Sequence, residues 1–122
     1  MKKTLSILII LLCISCGDEF IPYYLIIDNQ TSDTINITLP LNHKEYSFIS
    51  LPNTKNDLLK TNIRVIQNFN CDPLIEQNKV KIKTSSGRKL NKEMWNANNW
   101  ECNGSTYKGW ALTFIITEND LE

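Results

Sequence analysis

The sequence predicts an all-β domain, an immunoglobulin-like β-sandwich of about seven strands, with a small β-barrel as the alternative. Three observations predict it. Short runs rich in β-branched and aromatic residues alternate in polarity, turn-forming clusters separate them at close intervals, and together they occupy about a hundred residues.

Taken in order, Tyr23 to Asp28 (YYLIID) is built of strand formers and runs into a polar turn cluster, Asn29-Gln30-Thr31-Ser32-Asp33. Thr34 to Leu39 then alternates, with Ile35, Ile37 and Leu39 on one face and Thr34, Asn36 and Thr38 on the other. Two such runs around a short polar connection read as a hairpin. Glu45 to Leu51 (EYSFISL) is a third strand, stopped by Pro52. Between Asp57 and Phe69 the pattern is mixed. Leu59, Ile63 and Ile66 fit helical spacing, while the β-branched density favours a strand from Ile63 to Phe69. Val80 to Thr84 (VKIKT) places Val80 and Ile82 inward and Lys81 and Lys83 outward, and Ser85-Ser86-Gly87 turns the chain. Asn91 to Glu101 holds too many asparagines for a long regular element, with at most one helical turn at Lys92 to Asn96. Tyr107 to Thr117 is the longest apolar run after residue 20. Its alternation puts Trp110, Leu112, Phe114 and Ile116 on one face, as expected of a central strand.

The first nineteen residues carry a different signal. Lys2 and Lys3 form a positive start, and an apolar run follows from Leu5 to Ile14. A membrane span needs about 20 apolar residues, and this run has roughly half that, the length of the apolar region of a secretory signal. Ile14-Ser15-Cys16 then resembles the lipobox of bacterial lipoprotein signals, departing from it at Cys13, where leucine is usual. The resemblance implies cleavage before Cys16 and acylation of its sulfur. Residues 1–15 are therefore read as signal, 16–21 as acylated cysteine and tether, and 22–122 as one domain. Two or more acyl chains are needed for stable anchoring, and a lipid on Cys16 meets that condition.

Removing Lys2 and Lys3 leaves 11 basic and 13 acidic side chains, a net charge of −2. That balance argues against nucleic acid as a partner. Of the four cysteines, Cys71 and Cys102 remain after Cys13 and Cys16 are assigned, and in an oxidising compartment they read as a disulfide. A metal or redox site is the competing reading. No Cys-x-x-Cys spacing supports it, and His43 lies far from both in sequence.

Gly17-Asp18-Glu19 reads as a polar tether, and its acids resemble the surface-export signal of Bacteroidetes lipoproteins. With that tether in front, several stretches resemble small Bacteroidetes lipoproteins of unknown function. They are Asp28 to Ile35, Ile49-Ser50-Leu51-Pro52-Asn53, Asn99-Trp100, and Leu112 to Thr117 before Asp120-Leu121. The resemblance implies an outer-membrane, lipid-anchored location in the cell envelope and a sandwich fold, and carries over no catalytic residue. Asp33-Thr34-Ile35 likewise resembles an O-glycosylation acceptor of exported Bacteroidetes proteins, with Thr34 modified. The sequons at Asn29, Asn36 and Asn103 fit a eukaryotic acceptor and read as accidental beside a bacterial signal.

Two binding features remain. Trp95, Trp100 and Tyr107 in an Asn-rich stretch could form a glycan platform, but packing is the favoured reading, with Trp100 over the Cys71–Cys102 bridge and Trp95 the exposed exception. Six of the eleven basic residues left after cleavage (Lys79, Lys81, Lys83, Arg88, Lys89 and Lys92) fall within fourteen positions. They suit an anionic partner or a solvated strand face that discourages edge pairing. For catalysis, a Ser-His-Asp triad would have to use His43, no Gly-x-Ser-x-Gly occurs, and Glu93 with Glu101 is the one carboxylate pair near the tryptophans. The expectation is a non-enzymatic envelope module without cofactor or metal, partnered by the membrane through its lipid and by an envelope protein or glycan.

Overall fold

The computed structural model describes residues 20–41, 44–64, 71–105 and 108–122. Its architecture is all-β. Seven strands are seen among the described residues: β1 (Phe20–Asn29), β2 (Ile35–Leu41), β3 (Lys44–Ser50), β4 (Thr54–Arg64), β5 (Lys81–Thr84), β6 (Trp100–Ser105) and β7 (Gly109–Ile116). They form a four-stranded sheet in the order β4-β1-β7-β6 and a three-stranded sheet in the order β3-β2-β5. The sheets pack as a sandwich and do not close into a barrel. No helix among the described residues is long and apolar enough to cross a membrane.

Alternation makes the core. Along β1 every second residue is buried (Ile21, Tyr23, Leu25, Ile27 and Asn29), and along β2 Ile35, Ile37 and Leu39 are fully buried. From β7 come Leu112, Phe114 and Ile116. These inner faces meet in one apolar cluster, each large side chain contributing about 1.5–3 kcal/mol. As its apolar alternation suggests, β7 is central. It pairs parallel with β1, Leu25 beside Leu112 and Ile27 beside Phe114, and antiparallel with β6. Tyr23 donates its phenol to the Asp72 carbonyl at 3.2 Å. Burial and the nearby Asp72 carboxylate push the Tyr23 pKa well up.

The structure corrects the sequence reading at four points. First, β1 and β2 are not a hairpin. β1 is paired on both edges, by β4 and β7, so β2 joins the other sheet and the polar cluster becomes a crossover. That crossover folds around Asn29, whose side chain is completely buried. Its oxygen accepts from the Thr31 amide (3.0 Å) and hydroxyl (2.7 Å), and its amide donates to the carbonyls of Asp33 (2.8 Å), Leu51 (3.1 Å) and Ser50 (3.3 Å). Second, β4 begins at Thr54. Leu25 opposes Leu59 while Ile26 opposes Asp57, so Leu58 is an extra residue in the ladder. This bulge sets two leucines side by side and breaks the period of two. The rest of the predicted 63–69 strand, residues 65–69, lies outside the described residues. Third, the helical turn of the Asn91 to Glu101 stretch is a 3₁₀ turn at Ala97–Asn99, capped by Asn96 accepting from the Asn98 amide, rather than at Lys92 to Asn96. It leads into β6, a strand whose exposed Glu101 and Asn103 hide its inward Trp100 and Cys102. Fourth, Phe20 and Ile21 belong to β1, not to the tether, and Ile21 is buried.

Cys71 and Cys102 are bonded, with Cα atoms 5.8 Å apart, tying the chain before β5 to β6. At the β6–β7 turn, Gly104 and Gly109 have φ of 138° and 101°. A Cβ on Gly109 would meet the Pro22 carbonyl oxygen of β1, so a side chain there is blocked by both backbone conformation and contact.

Candidate functional site

The short connection between β3 and β4 fixes one flank of the sandwich and leaves β5 and β6 as edges of the opposite flank. The chain between them shapes the site. Ser85-Ser86-Gly87 turns after β5, with the Gly87 amide donating to the Thr84 carbonyl (3.1 Å) and the Thr84 hydroxyl to the Arg88 carbonyl (2.6 Å). Beyond the turn the chain does not return along β5. It pairs instead with the C-terminus, Lys89 and Glu122 exchanging both backbone hydrogen bonds at 2.8 Å and Leu90 bridging to Leu121. A groove of about 790 Å³ opens between. Val80, Ile82, Leu90, Met94 and Trp95 give it an apolar lining, and four of these five are half-buried residues packed on the core.

Its rim is cationic, and the cations differ in their commitments. Arg88 is held, with one terminal nitrogen 2.8 Å from Glu118, the other 3.3 Å from Asp33, and its Nε donating to the Ser86 hydroxyl. That hydroxyl in turn donates to Asp33. The Ser32 amide donates to Glu118 at 2.7 Å. This bond first, and Arg88 second, hold the Glu118 carboxyl below its ordinary value, and the hydrogen bond to Glu118 raises Arg88. Lys92 donates to the Ile115 carbonyl (2.7 Å) and lies 5.0 Å from the Phe114 ring centroid. Lys83 and Lys89 are exposed on the rim, with no ion-pairing carboxylate among the described residues.

The three residues of the alternative glycan platform are not brought together among the described residues. Trp95 lines the groove, half-buried. Trp100 is 6% exposed and belongs to the core, as the packing reading has it. Its ring centroid lies 5.1 Å from that of Phe114, and its Nε1 donates to the Met94 carbonyl at 2.7 Å. Trp100 thus fastens the groove wall from beneath. Tyr107 lies outside the described residues, as do Cys16 and His43. Thr34 is half-buried at the start of β2. Its amide donates to the Ser85 hydroxyl (3.0 Å), and its carbonyl accepts from the Ser85 amide (2.9 Å). Glu93 lines the groove, while Glu101 lines a second depression of about 270 Å³ beside Trp100 and Thr113. The two carboxylates therefore face separate depressions. No group of three or more His, Cys, Asp or Glu among the described residues could hold a metal ion.

Compared with known proteins, this chain matches no family model, no curated protein and no solved structure. Its site must be read from its own residues. Sequence reasoning named Trp95 and the lysines but missed Ile82, Leu90 and Met94 as one lining. The signal was present in the inward phase of Val80 and Ile82, but the fold of residues 88–95 against the C-terminus was not legible.

Proposed function

We propose that this chain is a non-enzymatic lipoprotein of the cell envelope, an interaction module held at the outer membrane by acyl chains on Cys16. The groove beside β5 is its binding face. The observation that carries the binding part is the groove itself, apolar along its lining and edged by exposed cations. The anchoring part rests on Lys2, Lys3, the Leu5–Ile14 run and Cys16. β1 starts at Phe20, and four residue steps span at most about 14 Å, so a lipid on Cys16 would hold the sandwich close to the bilayer. Asp18 and Glu19 favour presentation at the cell surface, and Thr34 is the proposed O-glycosylation site.

The intact mass of protein extracted from native membranes, with and without reduction, tests the anchor. Cleavage before Cys16 with added acyl mass supports it, and an unacylated chain retaining Met1 overturns it. Hexose-sized increments would mark glycosylation.

A second reading is a carbohydrate-binding module, and Trp95 in the groove is the observation that favours it. Loss of glycan binding in Trp95→Ala with an unchanged fold is the result that reading requires. Trp100 takes part only as a support beneath the wall.

A further inference from the structure

We propose that the groove receives an extended peptide segment of a partner protein, added as a strand to the outer edge of β5, which no described strand pairs, and alternating acidic with apolar side chains. The inference rests on the groove being this protein's binding face, and it names the occupant.

The backbone argues for a strand. In an antiparallel ladder, residues alternate between those that bond the neighbour and those whose backbone groups point away. The Ser85 amide donates to Thr34, in register with the β2–β5 pairing of Lys83 with Asn36 and Lys81 with Thr38. Lys83 and Lys81 therefore share the phase that bonds β2, and Ile82 and Thr84 direct their N–H and C=O groups outward. Gly87 takes the Thr84 carbonyl. No hydrogen bond from the described residues reaches the Ile82 N–H, the Ile82 carbonyl or the Thr84 N–H. β5 is the terminal strand of its sheet, and Ile82 and Thr84 line the groove. These are the conditions for strand addition, in which main-chain bonds give affinity and alternate side chains give selectivity.

The side chains argue for the alternation. An added strand shares the pleat of β5, so one set of its residues would sit beside Val80 and Ile82 and face Leu90, Met94 and Trp95. The other set would lie beside Lys81 and Lys83 on the outer face. On that face the lysines have only Thr38 and Asn36 across the ladder on β2, and neither lysine has an ion pair among the described residues. Carboxylates on the incoming strand would fill that place as cross-strand pairs. The same lysines would oppose one another if two copies met edge to edge, which turns β5 away from itself and towards an acidic partner. From Val80 to Thr84 the edge is about 13 Å long, room for about five residues.

The test uses the membrane-extracted protein in a nonionic detergent and a nine-residue synthetic peptide of alternating glutamate and valine. Two controls accompany it: the same composition in two blocks, and the alternating peptide methylated on its backbone nitrogens. Hydrogen exchange at residues 80–84 and titration calorimetry are the readouts. The expected result is saturable binding with slowed exchange of the Ile82 amide, at least tenfold weaker in the Lys81→Glu/Lys83→Glu variant and lost on methylation. Equal binding of the block peptide, or binding without protection of Ile82, overturns the proposal. Polygalacturonate is titrated in parallel. If it binds in a Trp95-dependent manner and the peptide does not, strand addition fails and the groove stands as a glycan site. If neither binds, both the inference and the groove as binding face are refuted.

Discussion

Asn29 is the residue on which the crossover between sheets most depends, and its substitution has a calculable effect. In Asn29→Ala, the Thr31 amide loses its acceptor and the Asp33 carbonyl its strongest donor, both at a buried site. Leu51 keeps the Thr54 hydroxyl as a donor at 2.7 Å, so its loss counts for little. A buried polar group left unsatisfied costs about 1–3 kcal/mol. The unsatisfied Thr31 amide, an Asp33 carbonyl left with only the longer Thr31 hydroxyl bond of 3.4 Å, and the void left by the amide bring the expected loss to about 3 kcal/mol, a large part of the roughly 5–15 kcal/mol that holds a domain together. At about 4–8 °C per kcal/mol for a domain of this size, the melting temperature should fall by roughly 12 °C or more. Asn29→Asp sharpens the test. Its carboxylate can still accept from Thr31 but presents an anion to the Asp33 and Ser50 carbonyls, so the folded state favours the protonated form and the variant's folded pKa is raised. Its deficit should therefore be small below the ordinary aspartate value of about 3.9 and grow as pH rises above it. Thermal melts followed by far-ultraviolet circular dichroism between pH 3 and 8 read both effects. An Asn29→Ala shift smaller than about 4 °C would refute the view that this side chain organises the crossover.

Three further outcomes are expected. Removing the Cys71–Cys102 bond, which spans 31 positions, as Cys71→Ser/Cys102→Ser should destabilise the domain by about 3–4 kcal/mol through the freed unfolded chain; denaturant titration measures it, and an unchanged midpoint argues against the bond in the folded protein. Glu118 is held below its ordinary pKa by Ser32 and Arg88, so its contribution is present above the unfolded carboxylate value and is lost as pH falls through the folded one. Glu118→Gln should flatten that part of the stability–pH profile, and an identical acid profile for both proteins would exclude the role. Gly109→Ala places a Cβ against the Pro22 carbonyl at a φ of 101° and should cost about 2 kcal/mol or more, read as an earlier urea midpoint than that of Gly87→Ala, where the space is open.

How much of this was legible depended on whether a residue's neighbours in the chain were also its partners. β2 could be read residue by residue, because Ile35, Ile37 and Leu39 repeat with the pleat and all three are fully buried. β7 read as central for the same reason. β4 did not, since its bulge at Leu58 and its exposed Lys55, Asn56 and Asp57 erase the period that identifies a strand. β6 was hidden because only Trp100 and Cys102 face inward, and its exposed Glu101 and Asn103 sit in an Asn-rich stretch that reads as a loop. The Trp100 indole found Phe114 and the Met94 carbonyl, partners 14 residues onward and six residues back.

By itself, then, the sequence determined the fold class, the cysteine pair and the inward phase of the regular strands. Each of these follows from local periodicity or from residue type, which survive without knowledge of the rest of the chain. Only the tertiary structure decided that β1 and β2 part company, that Trp95 and Trp100 serve different ends, and that β5 is, among the described residues, a terminal strand beside an apolar groove. Those outcomes depend on which distant segments compete for the same backbone edge. β1 was already taken on both sides, and residues 89–91 found the C-terminus, so that among the described residues no strand pairs the outer edge of β5.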